Sequence, residues 1–395
     1  SSVMALQPAS GVRDLNPQQV QRNHELRETL AEVFRLWGYE EVSPPRVERM
    51  DTLKAGGAID SRDIVRLVAD EPLGLRPEMT ASIARAACTR FQDRQRPLRL
   101  WSHGTVFEGR QADEGGLCIE ENLHCGVELF GASGDEAELE LLTLLMASLK
   151  ALRLPLNDPP RLLIGHTGLM QLLLRDVEPH LQQAFRGCLT RLDRLELQEL
   201  LKGQPQHAHL LQWLDRRGSP VGVIKQLQDV FPEAPVLKQL SRLVAHLSPL
   251  AEETGVGLQL DPTFQPIYEL YDGVVFQLVC RGVSSPVVVA RGGRYDTVVQ
   301  RLGAQGKDAT GLGFSFCVDD LRDLPGAFSI QAGKPERILL CYAQNQSMEK
   351  ALQVQAEWHR KGLSCQVDHH PCLTRVEAEA RVARAGCNSL EWIGD

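Results

Sequence analysis

The segment Glu121-Asn-Leu-His-Cys-Gly-Val-Glu-Leu-Phe130 alternates between apolar and polar positions, as a β-strand with two different faces does. The apolar face holds Leu123, Cys125, Val127 and Leu129. The polar face holds Asn122, His124, Gly126 and Glu128. Such a face is usually exposed to solvent, but the small Gly126 between His124 and Glu128 leaves room for a ligand. Residues 98–107 form a second strand beside it, so the segment predicts a sheet with a ligand-binding face.

The pattern around these strands is typical of the α+β class. Further strands are predicted at residues 273–279, 286–290 and 311–318, in a mostly antiparallel sheet with helices packed against it. Residues 169–255 are leucine-rich and helical in pattern; we interpret them as a helical insertion, with a separate bundle as the alternative. We expect a core at residues 8–325 and a small C-terminal α/β domain, ordered β-α-β-α-β, at residues 335–395.

Local signals mark where several elements begin and end. Asn16 can cap a helix that has Pro17 in its first turn and that ends at Gly38. The segment Ser133-Gly-Asp-Glu136 predicts a capping box that opens a second helix, which runs to about Leu152. The segment Leu162-Leu-Ile-Gly-His-Thr-Gly168 predicts another strand of the sheet.

The composition of the 395-residue chain is that of a globular protein, with 43% hydrophobic and 24% charged residues. It has no apolar run near the roughly 20 residues of a membrane span and no apolar leader, so we expect a cytoplasmic protein without membrane contact.

The ten cysteines are scattered along the chain, which suits reduced thiols in a cytoplasm. The spacing of Cys365, His369, His370 and Cys372 fits no zinc ribbon, so we interpret these residues as a strand end with a polar turn and expect no metal or cofactor.

Three segments together resemble the class II core of the histidyl-tRNA synthetase family. They are Gly74-Leu-Arg-Pro-Glu-Met-Thr80, the run from Val106-Phe-Glu-Gly-Arg110 to Gly126-Val-Glu-Leu-Phe130, and Gly292-Gly-Arg-Tyr-Asp296 with Gly311-Leu-Gly-Phe314. The resemblance implies a class II antiparallel sheet flanked by helices, with a histidine pocket. The residues that match this pocket are Glu78, Thr80, His124, Glu128, Tyr268, Tyr271 and Gly293. The stretch from Gly38 to Glu48 resembles the first class II signature, which implies a homodimer.

The pocket departs from the family pattern at two positions. His124 stands where the family has a glutamine, and Leu270 takes the first place of a tyrosine pair, for which Tyr268 is a substitute. Two carboxylates and a phenol suit an α-ammonium group and an imidazole N–H. The structural alternative for Glu78 is an ion pair with Arg76 or Arg85.

The arginines that the synthetase family needs for catalysis are missing. Their positions align with Glu108, Pro266 and Asp320. Amino-acid activation gathers several negative charges, which guanidinium groups must offset. A like-charge contact at about 4 Å and an effective dielectric of about 20 costs roughly 4 kcal/mol instead. We therefore predict no catalytic residues and no adenylation; the alternatives are a register shift around Glu108 and simple dipole capping by Asp320.

Charge also argues against a nucleic-acid partner. The net charge is −8, and between Glu108 and Glu121 five acidic residues face the single Arg110. From Glu336 onwards the chain has seven Lys and Arg against eight Asp and Glu, and no aromatic and basic surface typical of RNA binding. This distribution would repel a phosphate backbone.

A synthetase-like core without these arginines resembles one paralogous family, the regulatory subunits of ATP phosphoribosyltransferase. The resemblance implies a non-catalytic homodimer that forms a hetero-oligomer with a short-form catalytic subunit. It implies support of catalysis and feedback inhibition by histidine in the first step of histidine biosynthesis. The alternatives are an active histidyl-tRNA synthetase and a synthetase-like module that senses tRNA or an amino acid. The segment from Asp261 to Gly273 departs from both families.

Overall fold

A computed structural model describes residues 4–57, 60–111, 115–154, 158–265, 270–326 and 335–394. The chain divides into two compact units, Ser1–Ala327 and Phe328–Asp395. Pro266 and Tyr268 lie outside the described residues.

The first unit is built on one large sheet. Its strands are β1 (Glu40–Glu41), β4 (Leu98–Gln111), β5 (Leu117–Phe130), β6 (Arg161–His166), β7 (Gly257–Leu260), β8 (Val274–Arg281), β9 (Pro286–Arg294) and β10 (Gly311–Cys317). They lie in the order β1-β4-β5-β10-β9-β8-β6-β7. The two edge pairs are parallel and the central pairs antiparallel. A separate antiparallel pair joins β2 (Val47–Arg49) to β3 (Leu73–Leu75).

Eleven α-helices surround this sheet in the described part of the first unit. They are α1 (Pro17–Leu36), α2 (Met50–Gly56), α3 (Thr80–Cys88), α4 (Asp135–Leu152), α5 (Thr167–Leu173), α6 (Pro179–Thr190), α7 (Arg194–Lys202), α8 (Pro220–Val230), α9 (Pro235–Thr254), α10 (Asp296–Arg301) and α11 (Val318–Arg322). A longer 3₁₀ segment, Pro205–Leu214, lies between α7 and α8. Because α9 packs on α4, the leucine-rich helices join the first unit rather than forming a unit of their own.

The helix-start signals were right for α1 and wrong for α4. The Asn16 side chain accepts a hydrogen bond from the backbone of Gln19, whose side chain bonds back to Asn16. The N-cap of α4 is Gly134 with φ 83°, and no side chain caps it. Ser133 is therefore one residue too early to cap. Strand β6 also ends before the predicted Gly168, because the His166 ring accepts the Gly168 N–H and starts α5.

The two faces of the sheet bury different kinds of residue. The apolar face that was predicted for residues 121–130 is confirmed at Cys125, Val127 and Leu129, which are at most 2% exposed. The fourth residue, Leu123, is only half-buried. Helix α1 covers this face, where Phe34 packs edge-on to Phe314. Helices α3 and α10 cover one end of the opposite face. The rest of that opposite face forms the floor of the candidate site.

The C-terminal unit has the predicted β-α-β-α-β order. Its elements are β11 (Arg337–Tyr342), α12 (Met348–Arg360), β12 (Ser364–Val367), α13 (Arg375–Val382) and β13 (Ser389–Ile393). The three strands are parallel in the order β12-β11-β13. Cys365 is buried in one apolar cluster of this unit and Cys372 in another. Among the described residues, no group of His, Cys, Asp and Glu is arranged to hold a metal ion.

Candidate functional site

The candidate site lies on the polar face of the large sheet. We call it the cleft: Glu78 and Glu128 mark one end, His124 marks the other, and the strands between them form its floor. Strand register places Glu128 beside Gly313, and Gly313 beside Gly293. A Cβ atom on Gly313 would lie 2.1 Å from Glu128 Oε2, and one on Gly293 would lie 2.6 Å from the Tyr271 ring. The two glycines therefore leave the space that the carboxyl group and the phenol ring occupy.

Glu128 is the buried acid at the centre of the cleft. Its side chain is 4% exposed and accepts hydrogen bonds from the hydroxyls of Thr80, at 2.9 Å, and Tyr295. Burial raises the pKa of Glu128 to about 8, against the opposite effect of these two hydrogen bonds. Without a ligand, Glu128 therefore holds a proton at neutral pH.

Glu78 supplies the second carboxyl group. Its two oxygens each lie 3.1 Å from the Ala81 backbone N–H at the start of α3. Burial raises the pKa of Glu78 to about 7. The alternative ion pairs are not formed in the described structure, because Arg85 pairs with Glu48 at 3.0 Å and Arg76 donates to backbone carbonyls. Glu78 thus remains available to a cationic ligand.

Two phenols line the same end of the cleft. Burial, with the nearby Glu128 and Glu78, raises the pKa of Tyr271 above its ordinary value. Burial and Glu128 raise the pKa of Tyr295 as well. Both rings are neutral at physiological pH and can donate or accept hydrogen bonds. The structure thus brings Glu78, Thr80, Glu128, Tyr271 and Gly293 together.

His124 lies at the other end of the cleft. It is four residues from Glu128 on β5, which corresponds to about 13 Å along an extended strand. Burial and the charge of Arg291 lower the pKa of His124 to about 4, so its imidazole is neutral at pH 7. Glu108 and Asp320, which replace arginines in the resemblance, also feel the charge of Arg291 here. Burial raises the pKa of both acids.

The sequence alone did not assign roles to two residues of the cleft. Tyr295 belongs to the segment Gly292-Gly-Arg-Tyr-Asp296 that carried the resemblance, but nothing local to it indicates a bond to Glu128. Arg291 directly precedes that segment and stands on the cleft floor. It follows the strand predicted at residues 286–290, whereas β9 continues to Arg294, so nothing in the sequence indicated that Arg291 lies inside the sheet.

Known proteins resemble this chain over its whole length. The family model of the histidyl-tRNA synthetases matches residues 11–321. The ATP phosphoribosyltransferase regulatory subunit of Synechococcus sp. (strain WH7803) is 81% identical over 392 residues, which cover 99% of this chain and 100% of that protein. The chain belongs to the ATP phosphoribosyltransferase regulatory subunit family.

A second member of this regulatory subunit family, from Prochlorococcus marinus (strain MIT 9313), is 54% identical over 390 residues, 99% of this chain and 100% of that protein. A solved structure named as an ATP phosphoribosyltransferase regulatory subunit/histidyl-tRNA synthetase from Bacillus halodurans superimposes with a TM-score of 0.80. It is 24% identical and covers 98% of this chain and 97% of its own. The predicted family and the class II synthetase-like fold are confirmed.

The Synechococcus and Prochlorococcus relatives are both named as regulatory subunits, which supports a non-catalytic role for this chain. In the described part of the chain, no helix has the length and apolar character that crossing a bilayer requires. The ligand-binding roles of the cleft residues remain predictions.

Proposed function

We propose that this chain is a non-catalytic regulatory subunit that assembles with a short-form catalytic subunit of ATP phosphoribosyltransferase and makes it sensitive to histidine. Family membership supports the regulatory role. The carboxyl and phenol groups of the cleft support histidine as the effector. The negative charge of Glu108 and Asp320, near His124, supports the absence of catalysis.

The observation that supports this proposal most is the pair of carboxyl groups, the buried Glu128 and the half-buried Glu78, with phenols around them. Such groups bind an α-ammonium or an imidazole N–H through charge-assisted hydrogen bonds. A cationic group placed here favours the ionised carboxylates and lowers their raised pKa values. Histidine binding is then accompanied by proton release near neutral pH.

Glu108 and Asp320 support the absence of amino-acid activation. Both are acids within electrostatic range of Arg291, and Arg110 acts more strongly than Arg291 on Glu108. Acids there repel a triphosphate instead of offsetting its charge. Histidine-dependent exchange of pyrophosphate into ATP should stay at background; exchange above background would establish a synthetase.

The test of the regulatory role is reconstitution with the catalytic subunit. Adding the chain should raise turnover, and histidine should then inhibit the complex more strongly than the catalytic subunit alone. A coupling free energy of about 1–3 kcal/mol between the sites is enough for this. A Glu128→Gln variant should still raise turnover while losing inhibition. No change in turnover or inhibition with the unaltered chain would refute the proposal.

We infer that the chain forms a homodimer within this hetero-oligomer, because the stretch from Gly38 to Glu48 resembles a dimer signature. Leu36, at the end of α1, is 68% exposed and adds apolar surface next to that stretch. Light scattering on the purified chain should give twice its monomer mass.

The ten cysteines are all free thiols, which supports a reducing cytoplasm as the place of assembly.

A further inference from the structure

Arg291 stands on the cleft floor with its side chain exposed. It lies across from Ser315, which lies across from Gly126 on the same face as Glu128. Within the described part of the chain, no hydrogen bond or ion pair holds its guanidinium. Arginine is the side chain best suited to a carboxylate, because its fork of N–H groups binds both oxygens.

The surroundings of Arg291 favour an anion with one charge. Gln277 lies directly across from it on β8 and offers an amide N–H₂ beside the guanidinium. The ring of His124 is nearby and neutral, and Glu108 and Asp320 are the acids within electrostatic range. Two acids next to one arginine disfavour a multiply charged phosphate, whereas a carboxylate with its single charge can still bind.

The distance from Arg291 to Glu128 suits an amino acid. Two steps between strands of about 4.8 Å, and two residues along β5 of about 3.3 Å each, separate their backbones by roughly 12 Å. The two residues lie on the same face of the sheet. The small Gly126 and Ser315 lie between them on the same face, and the buried Ser315 hydroxyl has no hydrogen-bond partner among the described residues. This backbone separation suits a ligand with a cationic group at one end and a carboxylate at the other.

We propose that Arg291, with Gln277 beside it, binds the carboxylate of the amino-acid effector whose cationic end Glu78 and Glu128 hold. This assignment rests on the proposed histidine site and adds the residue that makes the site specific for a free amino acid. Arg291 supplies a positive charge from β9, on the same sheet face as Glu128.

The test compares two probes that differ in this group, L-histidine and L-histidinol, in which an alcohol replaces the carboxylate. Both are titrated calorimetrically into the chain, alone and in complex with the catalytic subunit. Arg291→Met should weaken histidine binding by roughly 10- to 100-fold and leave histidinol binding unchanged. Arg281→Met is the matched control, since Arg281 pairs with the exposed Asp158 at 2.9 Å away from the cleft floor.

The outcomes separate this inference from the proposed function. Equal losses for histidine and histidinol would mean that Arg291 maintains the shape of the cleft, and would overturn the assignment. Unchanged histidine affinity in Arg291→Met would also overturn it, while the proposed histidine site would stand. If the unaltered chain bound histidine neither alone nor in the complex, both proposals would fall.

Discussion

Glu128 shows how a single residue can link pH to stability. Its pKa is about 8 in the folded protein and near its ordinary value of 4.5 in the unfolded chain. Between these values the folded state holds a proton that the unfolded chain has lost. The free energy of unfolding therefore falls as pH rises from about 5 to about 8.

Glu128→Gln should reduce this pH dependence, because the amide does not titrate. We expect the thermal midpoint of the unaltered chain to fall over this interval, and that of the variant to fall less. The raised pKa of Glu78 preserves part of the slope. Thermal denaturation at a series of pH values measures the difference, and parallel curves for both proteins would contradict it.

Tyr295 and Tyr271 provide a matched pair of phenols. Tyr295 is 1% exposed and donates to Glu128, so Tyr295→Phe should cost about 1–3 kcal/mol of stability. Tyr271 donates no hydrogen bond to any described residue, so Tyr271→Phe should change stability by less than about 0.5 kcal/mol. Urea denaturation of both variants tests this, and an equal cost for the two would show that the Tyr295 bond is not the cause.

For individual residues, the sequence indicated Glu78, Thr80 and Glu128 as members of the cleft but not Arg291 and Tyr295. Glu78, Thr80 and Glu128 lie in segments whose spacing carries the resemblance, and the structure brings them together. Arg291 and Tyr295 depend on which strands are neighbours, and the local pattern does not contain that information. The capping box at Ser133 failed because the positive φ of Gly134 moves the helix start by one residue.

Among the elements, α4 and β9 are joined by a buried ion pair. Arg294 Nε donates to Glu138 Oε1 at 2.7 Å, with side chains 11% and 3% exposed. Arg294→Met leaves a buried carboxylate without its cation, and should cost about 3–5 kcal/mol. The control is Lys150→Met on the same helix, whose pair with Glu253 is exposed and should contribute less than about 1 kcal/mol. Similar losses of unfolding free energy in the two variants would contradict this difference.

The strands and helices themselves were largely predictable because their signals are local. Alternation identified β5, and the Asn16 cap identified the start of α1. The ends were less accurate: β4 and β5 extend beyond the predicted residues, because the two strands keep pairing up to Gln111 and Leu117. Pairing between strands, unlike alternation, is decided by the partner strand.

For the whole molecule, charge leads to a prediction about partners. With a net charge of −8 and acids between Glu108 and Glu121, the chain should not bind tRNA. Filter binding at low salt should give retention no higher than that of an acidic protein of similar size. Retention that fell steeply with added salt would indicate a phosphate-binding surface and favour the sensing-module alternative.

The order of the strands was the least predictable property of the whole molecule. The sequence predicted six strands of the first unit and missed β1, β2, β3 and β7. It also did not show that β10 lies between β5 and β9, or that β1 pairs with β4 across intervening elements. The resemblance to a family implied an antiparallel sheet flanked by helices, without this strand order. Long-range pairing of this kind follows from packing the whole sheet, not from any one segment.

The glycines under Glu128 and Tyr271 make the cleft a target for genetic selection. Any replacement at Gly313 adds atoms where the Glu128 side chain lies, and any replacement at Gly293 adds atoms where the Tyr271 ring lies. If histidine binds in the cleft as proposed, cells exposed to a toxic histidine analogue would survive through changes at these two codons. Under the same proposal, such strains would no longer sense histidine and would release it into the medium.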